Sequence, residues 1–335
     1  MTRILPKSAE NDTPRFKALK CLVLITKKGI SKMPEKILQF NPETGEVKER
    51  IMYSEREIRD EYQKEQERRK RCKEHYDKVA EKIAYHRYIN NLKGDFVMLL
   101  YNVNEALDYG ISQANLTRLI YLSTYTSYNN NRLELPNGDI ITKSSIEDIM
   151  GLPRRTFEEF YNELISKNIL LKQENSYYLN TDFFVKGKLN KQQLNQNRIQ
   201  LYIKGIRTLY RKSSSREHKQ LAYLFQAIPY VNINSNTICH NPLEQNFKAI
   251  KPMTVEQYCM KVGYNVSNAR RFKSNILHFR LKEKPVFNFV KNCDGEFIFI
   301  NPYVYYGGNA WDKVAVLGDF TTQEELEEEY EKRKE

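Results

Sequence analysis

Residues 141–170 read ITKSSIEDIMGLPRRTFEEFYNELISKNIL, and the spacing inside this stretch decides the fold class. Thr142 stands nine positions before Gly151, the arrangement of a short helix capped by a hydroxyl at its start and closed by glycine at its end. Beyond the glycine, Phe157, Phe160, Tyr161, Leu164 and Ile165 recur at i, i+3, i+4, i+7 and i+8, the single buried stripe of an amphipathic helix. At about 100° per residue the opposite face carries Arg155, Glu159, Asn162 and Ser166, with Arg154 to one side of the first turn. Arg155 therefore points where a base edge would lie, and Arg154 is better placed for a phosphate. Two helices joined by a glycine turn are the core of a helix-turn-helix.

The same landmarks return later in the chain. LTRLIYLSTYTSY (116–128) and HKQLAYLFQAIPYV (218–231) share a Leu-x-Tyr-Leu centre, with Leu119 and Leu221 102 positions apart. MTVEQYCMKVGY (253–264) sets Thr254 nine residues before Gly263 and adds Gln257 at capping-box spacing. YLNTDFFVKG (178–187) and FINPYVYYGG (299–308) match around Asn180 and Asn301, each with a glycine seven places on. Three matched landmarks in one order make residues 95–190 and 198–310 two copies of one unit. Each copy closes on a strand pair, ILLKQENSYYLN (169–180) or VFNFVKNCDGEFIFIN (286–301). Helices, turn, helix and hairpin make a winged helix, whose second motif helix enters the major groove while the hairpin touches the flanking backbone.

In the second copy, NVSNARRFKSNILHFR (265–280), Ala269, Phe272, Ile276 and Phe279 form the buried stripe. Ser267, Asn268, Arg270, Arg271, Ser274 and His278 face outward with Lys273 at the edge, and the segment contains no acid. The first copy offers Arg154, Arg155, Thr156, Glu159 and Asn162. Arginine pairs with guanine O6 and N7, asparagine with adenine, and glutamate accepts from the cytosine amine. A protein-binding winged helix is the alternative, because Glu158 and Glu159 would repel phosphates.

Composition agrees with a polyanionic partner. The 335 residues hold 54 Lys and Arg against 42 Asp and Glu. Residues 318–335 carry eight acids against three bases, a net of −5, so the rest of this +12 chain carries +17. The abundant aromatics, 23 Tyr and 16 Phe, suit packed cores rather than a disordered basic chain. Five scattered cysteines (Cys21, Cys72, Cys239, Cys259, Cys293) form no Cys-x-x-Cys pair, and no apolar run approaches the ~20 residues of a membrane span. With no secretory signal pattern at the start, a cytoplasmic protein with reduced thiols is expected.

The N-terminal part divides into a tail with a small β element (1–53) and a long charged helix (54–93). Its single seam of Cys72, Tyr76, Val79 and Ile83 suits either packing on its own domain or a homodimer through residues 54–93. The tail TTQEELEEEYEKRKE (321–335) opens with Thr322 and Glu325 at capping-box spacing, so a helix is expected. It is either solvated or laid over a basic groove. Winged helix domain 1 occupies 94–190, winged helix domain 2 occupies 191–317, and the acidic helix occupies 318–335. The fold class expected is mainly α with small β-hairpins (α+β).

Catalytic constellations are missing from the sequence. The five histidines contain no His-x-His pair of a nicking site, VKGKL (185–189) is not a phosphate-binding loop, and His278-Phe-Arg280 lacks tyrosine-recombinase spacing. No enzyme activity, cofactor or metal is expected.

Here the sequence resembles a known family. GDFVMLLYNVNEALDYG (94–110), LTRLIYLSTYTSYNNNRL (116–133), the 141–170 motif and YLNTDFFVKG (178–187) are similar to the winged helix of replication initiators of the RepL type from Firmicute plasmids and phages, with a fainter second likeness over 198–310. The resemblance implies origin binding and recruitment of host replication proteins, with Arg154, Arg155 and Thr156 at the helix start. The second copy, the N-terminal module and the acidic tail depart from that pattern. A transcription regulator of a phage or mobile element, acting on promoters through host transcription proteins, is the alternative, and an interaction scaffold is a third class.

Overall fold

The computed structural model describes residues 35–40, 47–52, 55–281, 283–292 and 295–332. It has two compact units, residues 1–84 and 85–335. The boundaries expected at 93/94, 190/191 and 317/318 thus fall within the second unit.

In the first unit, β1 (Glu35–Phe40) pairs antiparallel with β2 (Val47–Met52), from Glu35 opposite Met52 to Phe40 opposite Val47. The remainder of the segment 1–53 lies outside the described residues. Helix α1 (Glu55–Lys93) runs 39 residues, about 58 Å of rise, and ends in the second unit. Its seam is open: Tyr76 is 70% exposed, and Cys72, Val79 and Ile83 are exposed as well.

The second unit is organised by a sheet. Strand β3 (Phe96–Tyr101) leads to α2 (Gln113–Ser123), α3 (Lys143–Met150), α4 (Arg154–Ser166), the hairpin β4 (Leu170–Gln173) and β5 (Ser176–Leu179), and β6 (Phe184–Val185). A short helix α5 (Lys191–Leu194) precedes β7 (Asn197–Tyr202). There follow α6 (Ile203–Lys212), α7 (His218–Gln226), α8 (Val255–Lys261), α9 (Ala269–Ile276), the short pair β8 (Arg280–Leu281) and β9 (Lys284–Pro285), the hairpin β10 (Phe287–Asn292) and β11 (Gly295–Ile300), and β12 (Tyr305–Tyr306). The chain closes with α10 (Trp311–Leu317) and α11 (Gln323–Glu331). The class is mixed helix with small antiparallel sheets, compatible with α+β.

Local chemistry sets the helix ends. Thr142 accepts from Ser145 N and Thr254 from Gln257 N, the latter within a full capping box, and Gly151 and Gly263 take φ of 58° and 69°. Glycine suits these turns because a Cβ disfavours that backbone region.

Segments 96–185 and 197–306 meet in one sheet of order β12-β7-β3-β6, all antiparallel. Asparagines lock both segments in the same way. Asn131 and Asn236, buried at φ of 55° and 57°, donate Nδ2 to the carbonyls of Leu179 and Phe184 and of Ile300 and Tyr305. Asn180 and Asn301 donate Nδ2 to Asn168 O and Pro285 O, each at 3.2 Å. A single-residue bridge adds a third chain to each hairpin, Arg132 to Tyr178 and Thr237 to Phe299.

One hydrophobic core spans both segments, from Val97 through Leu119, Phe160, Leu224 and Phe272 to Tyr305. Helices α2 and α7 pack along each other through it. The four-stranded sheet that makes this shared core has no counterpart in the sequence reading.

Candidate nucleic-acid interface

Helix α4 places its apolar stripe as expected: Phe157, Phe160 and Leu164 are buried, Tyr161 and Ile165 half-buried. Arg154, Arg155, Glu159 and Asn162 are exposed, and Thr156 is half-buried. Pro153 precedes the helix and supplies no side-chain cap. Arg155 Nε donates to Glu159 Oε1 at 3.1 Å, with the arginine 92% exposed. Such an exposed i,i+4 pair is worth only a few tenths of a kcal/mol, so a stronger acceptor can displace it. Glu158 is turned aside to Lys143 Nζ, 2.8 Å away, and Lys143 also lies 4.4 Å from the Tyr161 ring centre.

Helix α9 is shorter than expected. Ser267 and Asn268 lie in a 3-10 turn (Val266–Asn268), where Asn265 Oδ1 accepts from Ser267 N and Oγ. Arg270, Arg271 and Ser274 are exposed on the helix itself. Neither arginine forms a hydrogen bond or ion pair among the described residues. Lys273 is committed to the hairpin: Nζ is 2.7 Å from Glu296 Oε1 and 4.1 Å from the Phe289 ring centre.

His278 is exposed but lies beyond the helix. The helix stops at Ile276, so His278 does not continue its outer face. Its Nε2 sits 3.2 Å from Glu217 Oε1, and Nδ1 contacts Asn275 O. The reason is the turn that buries Phe279 before β8. The glycine landmarks place Phe272 with Phe160 and Ile276 with Leu164, which puts Arg270 and Arg271 where α4 has Glu158 and Glu159. The two outer faces therefore differ in charge.

Glu163, Asn115, Arg118 and His218 went unread in the sequence. Asn115 Nδ2 and the backbone N of Ser112 donate to the Glu163 carboxylate, tying α4 to the start of α2. Arg118, 7% exposed, donates Nη1 to Asn115 Oδ1 and Nε to His218 Nδ1 at 3.4 Å. Burial lowers the pKa of Arg118 from its ordinary value. The His218 ring also stacks on Tyr210, which stacks on Tyr121 at 3.8 Å and 2°. A signal was there: a lone arginine within the apolar run LTRLIYL (116–122) must find partners when buried.

The acidic end is docked. Thr322 and Glu325 form the expected capping box, and Leu326 is buried among Tyr88, Tyr202, Trp311 and Val314. Tyr88 donates its hydroxyl to Leu326 O and Glu329 Oε2. A cleft of about 370 Å³ beside the helix is lined by Lys93, Lys204 and Lys284 as well as by Glu325, Glu328 and Glu329. A hydrogen bond from Thr322 N, with the Thr321 hydroxyl and the charge of Lys284 adding to it, holds the Glu325 carboxyl below the usual range.

Cys239 and Cys259 are buried, and burial raises each thiol to about 11, so neither is a ready nucleophile. Among the described residues no group of His, Cys, Asp and Glu could hold a metal ion, and no helix is long and apolar enough to cross a membrane. Comparison with known proteins finds no matching family model, curated protein or solved structure.

Proposed function

We propose that this chain is a sequence-specific double-stranded DNA-binding protein of a phage or plasmid, with segments 94–190 and 191–317 acting as two winged helices. Helices α4 and α9 are the reading elements, and the two hairpins are the wings. The observation that carries the reading is the exposed pair Arg270 and Arg271, without partners among the described residues, on a helix that follows a glycine turn and leans on a hairpin. Two exposed arginines of this kind are available for guanine edges or phosphates. The third chain added to each hairpin by Arg132 and Thr237 supports the winged-helix reading.

The role that best suits such a protein, given its resemblance to RepL-type initiators, is binding a replication origin, with host replication proteins as partners. Control of promoters or operators is the second reading. The first measurement is fluorescence anisotropy of the purified chain on tiled fragments of its own replicon, over several salt concentrations with random competitor. One fragment bound far above the rest supports the proposal, and its position at an origin or promoter chooses the role. Uniform, steeply salt-dependent binding reduces the protein to a basic coat. Absence of binding turns the winged helices toward protein partners, as in a scaffold. Pairing of two copies along residues 54–93 belongs to the same proposal, each copy then reading its own duplex, and sedimentation of the full chain tests it.

A further inference from the structure

The strand register relates the two segments by rotation. Strand β6 pairs Val185 with Met98 and Phe184 with Leu99, while β12 pairs Tyr306 with Gln200 and Tyr305 with Leu201. The matched asparagine bonds equate Phe184 with Tyr305, so Met98 corresponds to Gln200 and Leu99 to Leu201. That offset of 102 is the same as between Leu119 and Leu221. In the central pair β3 and β7, Met98 lies directly opposite Gln200. Equivalent residues facing each other across an antiparallel pair define a local two-fold axis between them, normal to the sheet. Helices α2 and α7, also equivalent, pack against each other. A head-to-tail repeat on a flexible linker would produce neither contact.

From this geometry we infer that one chain reads an inverted repeat made of two unlike half-sites at a fixed separation. The inference rests on the reading of the protein as a duplex binder. Protein two-fold symmetry is mirrored in the symmetry of the DNA it fits. Here the axis lies within a single chain, so no second copy is required. The half-sites differ because α4 presents Arg154, Arg155, Glu159 and Asn162, whereas α9 presents Arg270, Arg271 and Ser274. The separation is fixed because the two segments share a sheet and a core, and the polar chain from Glu163 through Asn115 and Arg118 to His218 ties α4 to the second segment.

The test is selection of a binding site by the full chain from a random duplex library, followed by affinity and stoichiometry measurements on the selected DNA. The expected motif has two dissimilar half-sites in opposite orientation, bound by one chain per duplex. Turning one half-site to the direct orientation, or inserting about 5 bp so that the halves face opposite sides of the duplex, lowers affinity about 100-fold, the scale of lost bivalency. Arg155→Ala relaxes preference in one half only, and Arg270→Ala with Arg271→Ala in the other. All three side chains are exposed, so the variants fold. A single half-site, a direct repeat, or two chains per duplex overturns the inference and leaves DNA recognition standing. Failure to enrich any sequence overturns DNA recognition itself, and the inference with it.

Discussion

Arg118 Nε donates to His218 Nδ1 at 3.4 Å, so a buried guanidinium on α2 requires a neutral imidazole on α7. Burial and the charge of Arg118 hold the His218 pKa down to about 4. The unfolded chain, with an ordinary histidine near 6.5, therefore takes up a proton that the fold refuses. Stability from this site is whole above about pH 6.5 and falls as pH drops toward 4, by roughly 3 kcal/mol in all. Urea unfolding at pH 7, 6 and 5 is expected to show that decline, and His218→Gln to flatten it. An unchanged slope in the variant would remove His218 as the cause.

Asn131 and Asn236 each combine a left-handed backbone with two bonds to strand carbonyls. Alanine at either position adds backbone strain of about 1 kcal/mol and leaves buried carbonyls unpaired at about 1–3 kcal/mol. Glycine removes only the bonds. Thermal melts should therefore rank wild type above glycine above alanine, in both segments. A large loss in one segment and none in the other would argue against matched locks.

Gly205 on α6 lies against the backbone of the second segment's closing turn. A Cβ there would sit 2.1 Å from Tyr303 O. The obstacle is main chain, so Gly205→Ala must push α6 off that turn, at a cost of about 3 kcal/mol or more. A melt within 2 °C of wild type would contradict this close approach.

For DNA binding, Arg270→Ala with Arg271→Ala is expected to abolish base preference in the half-site that α9 reads, since each bidentate base contact contributes about 1–3 kcal/mol of discrimination. Lys172→Ala and Lys291→Ala in the hairpins should weaken all sequences alike and lower the salt slope by about one unit each. Anisotropy titrations on selected and random duplexes separate the two patterns. Equal loss on both duplexes for the arginine pair would count against base reading.

Leu326 holds the acidic helix α11 onto Tyr88 and Trp311. Leu326→Ala should lower stability by about 2–4 kcal/mol. Deleting residues 319–335 is expected to raise affinity for random DNA, because Glu325, Glu328 and Glu329 then no longer flank Lys93, Lys204 and Lys284. Unchanged affinity would leave α11 a structural element only.

The sequence by itself determined what is local. Thr142, Thr254 and Thr322 cap helices, Gly151 and Gly263 turn the chain, and Phe157, Phe160 and Leu164 face inward, because capping and helical periodicity act over three or four residues. The matched Asn180 and Asn301 were legible because the two segments repeat the same landmarks in the same order. Only the tertiary structure decided that β3 and β7, about a hundred residues apart, share a sheet and one core. Only it committed Lys273 to Glu296, His278 to Glu217 and Glu163 to Asn115, leaving Arg270 and Arg271 free among the described residues. Strand register and long-range pairing depend on which distant backbones meet, and a side chain's place on its own helix does not specify the partner that the rest of the chain brings to it.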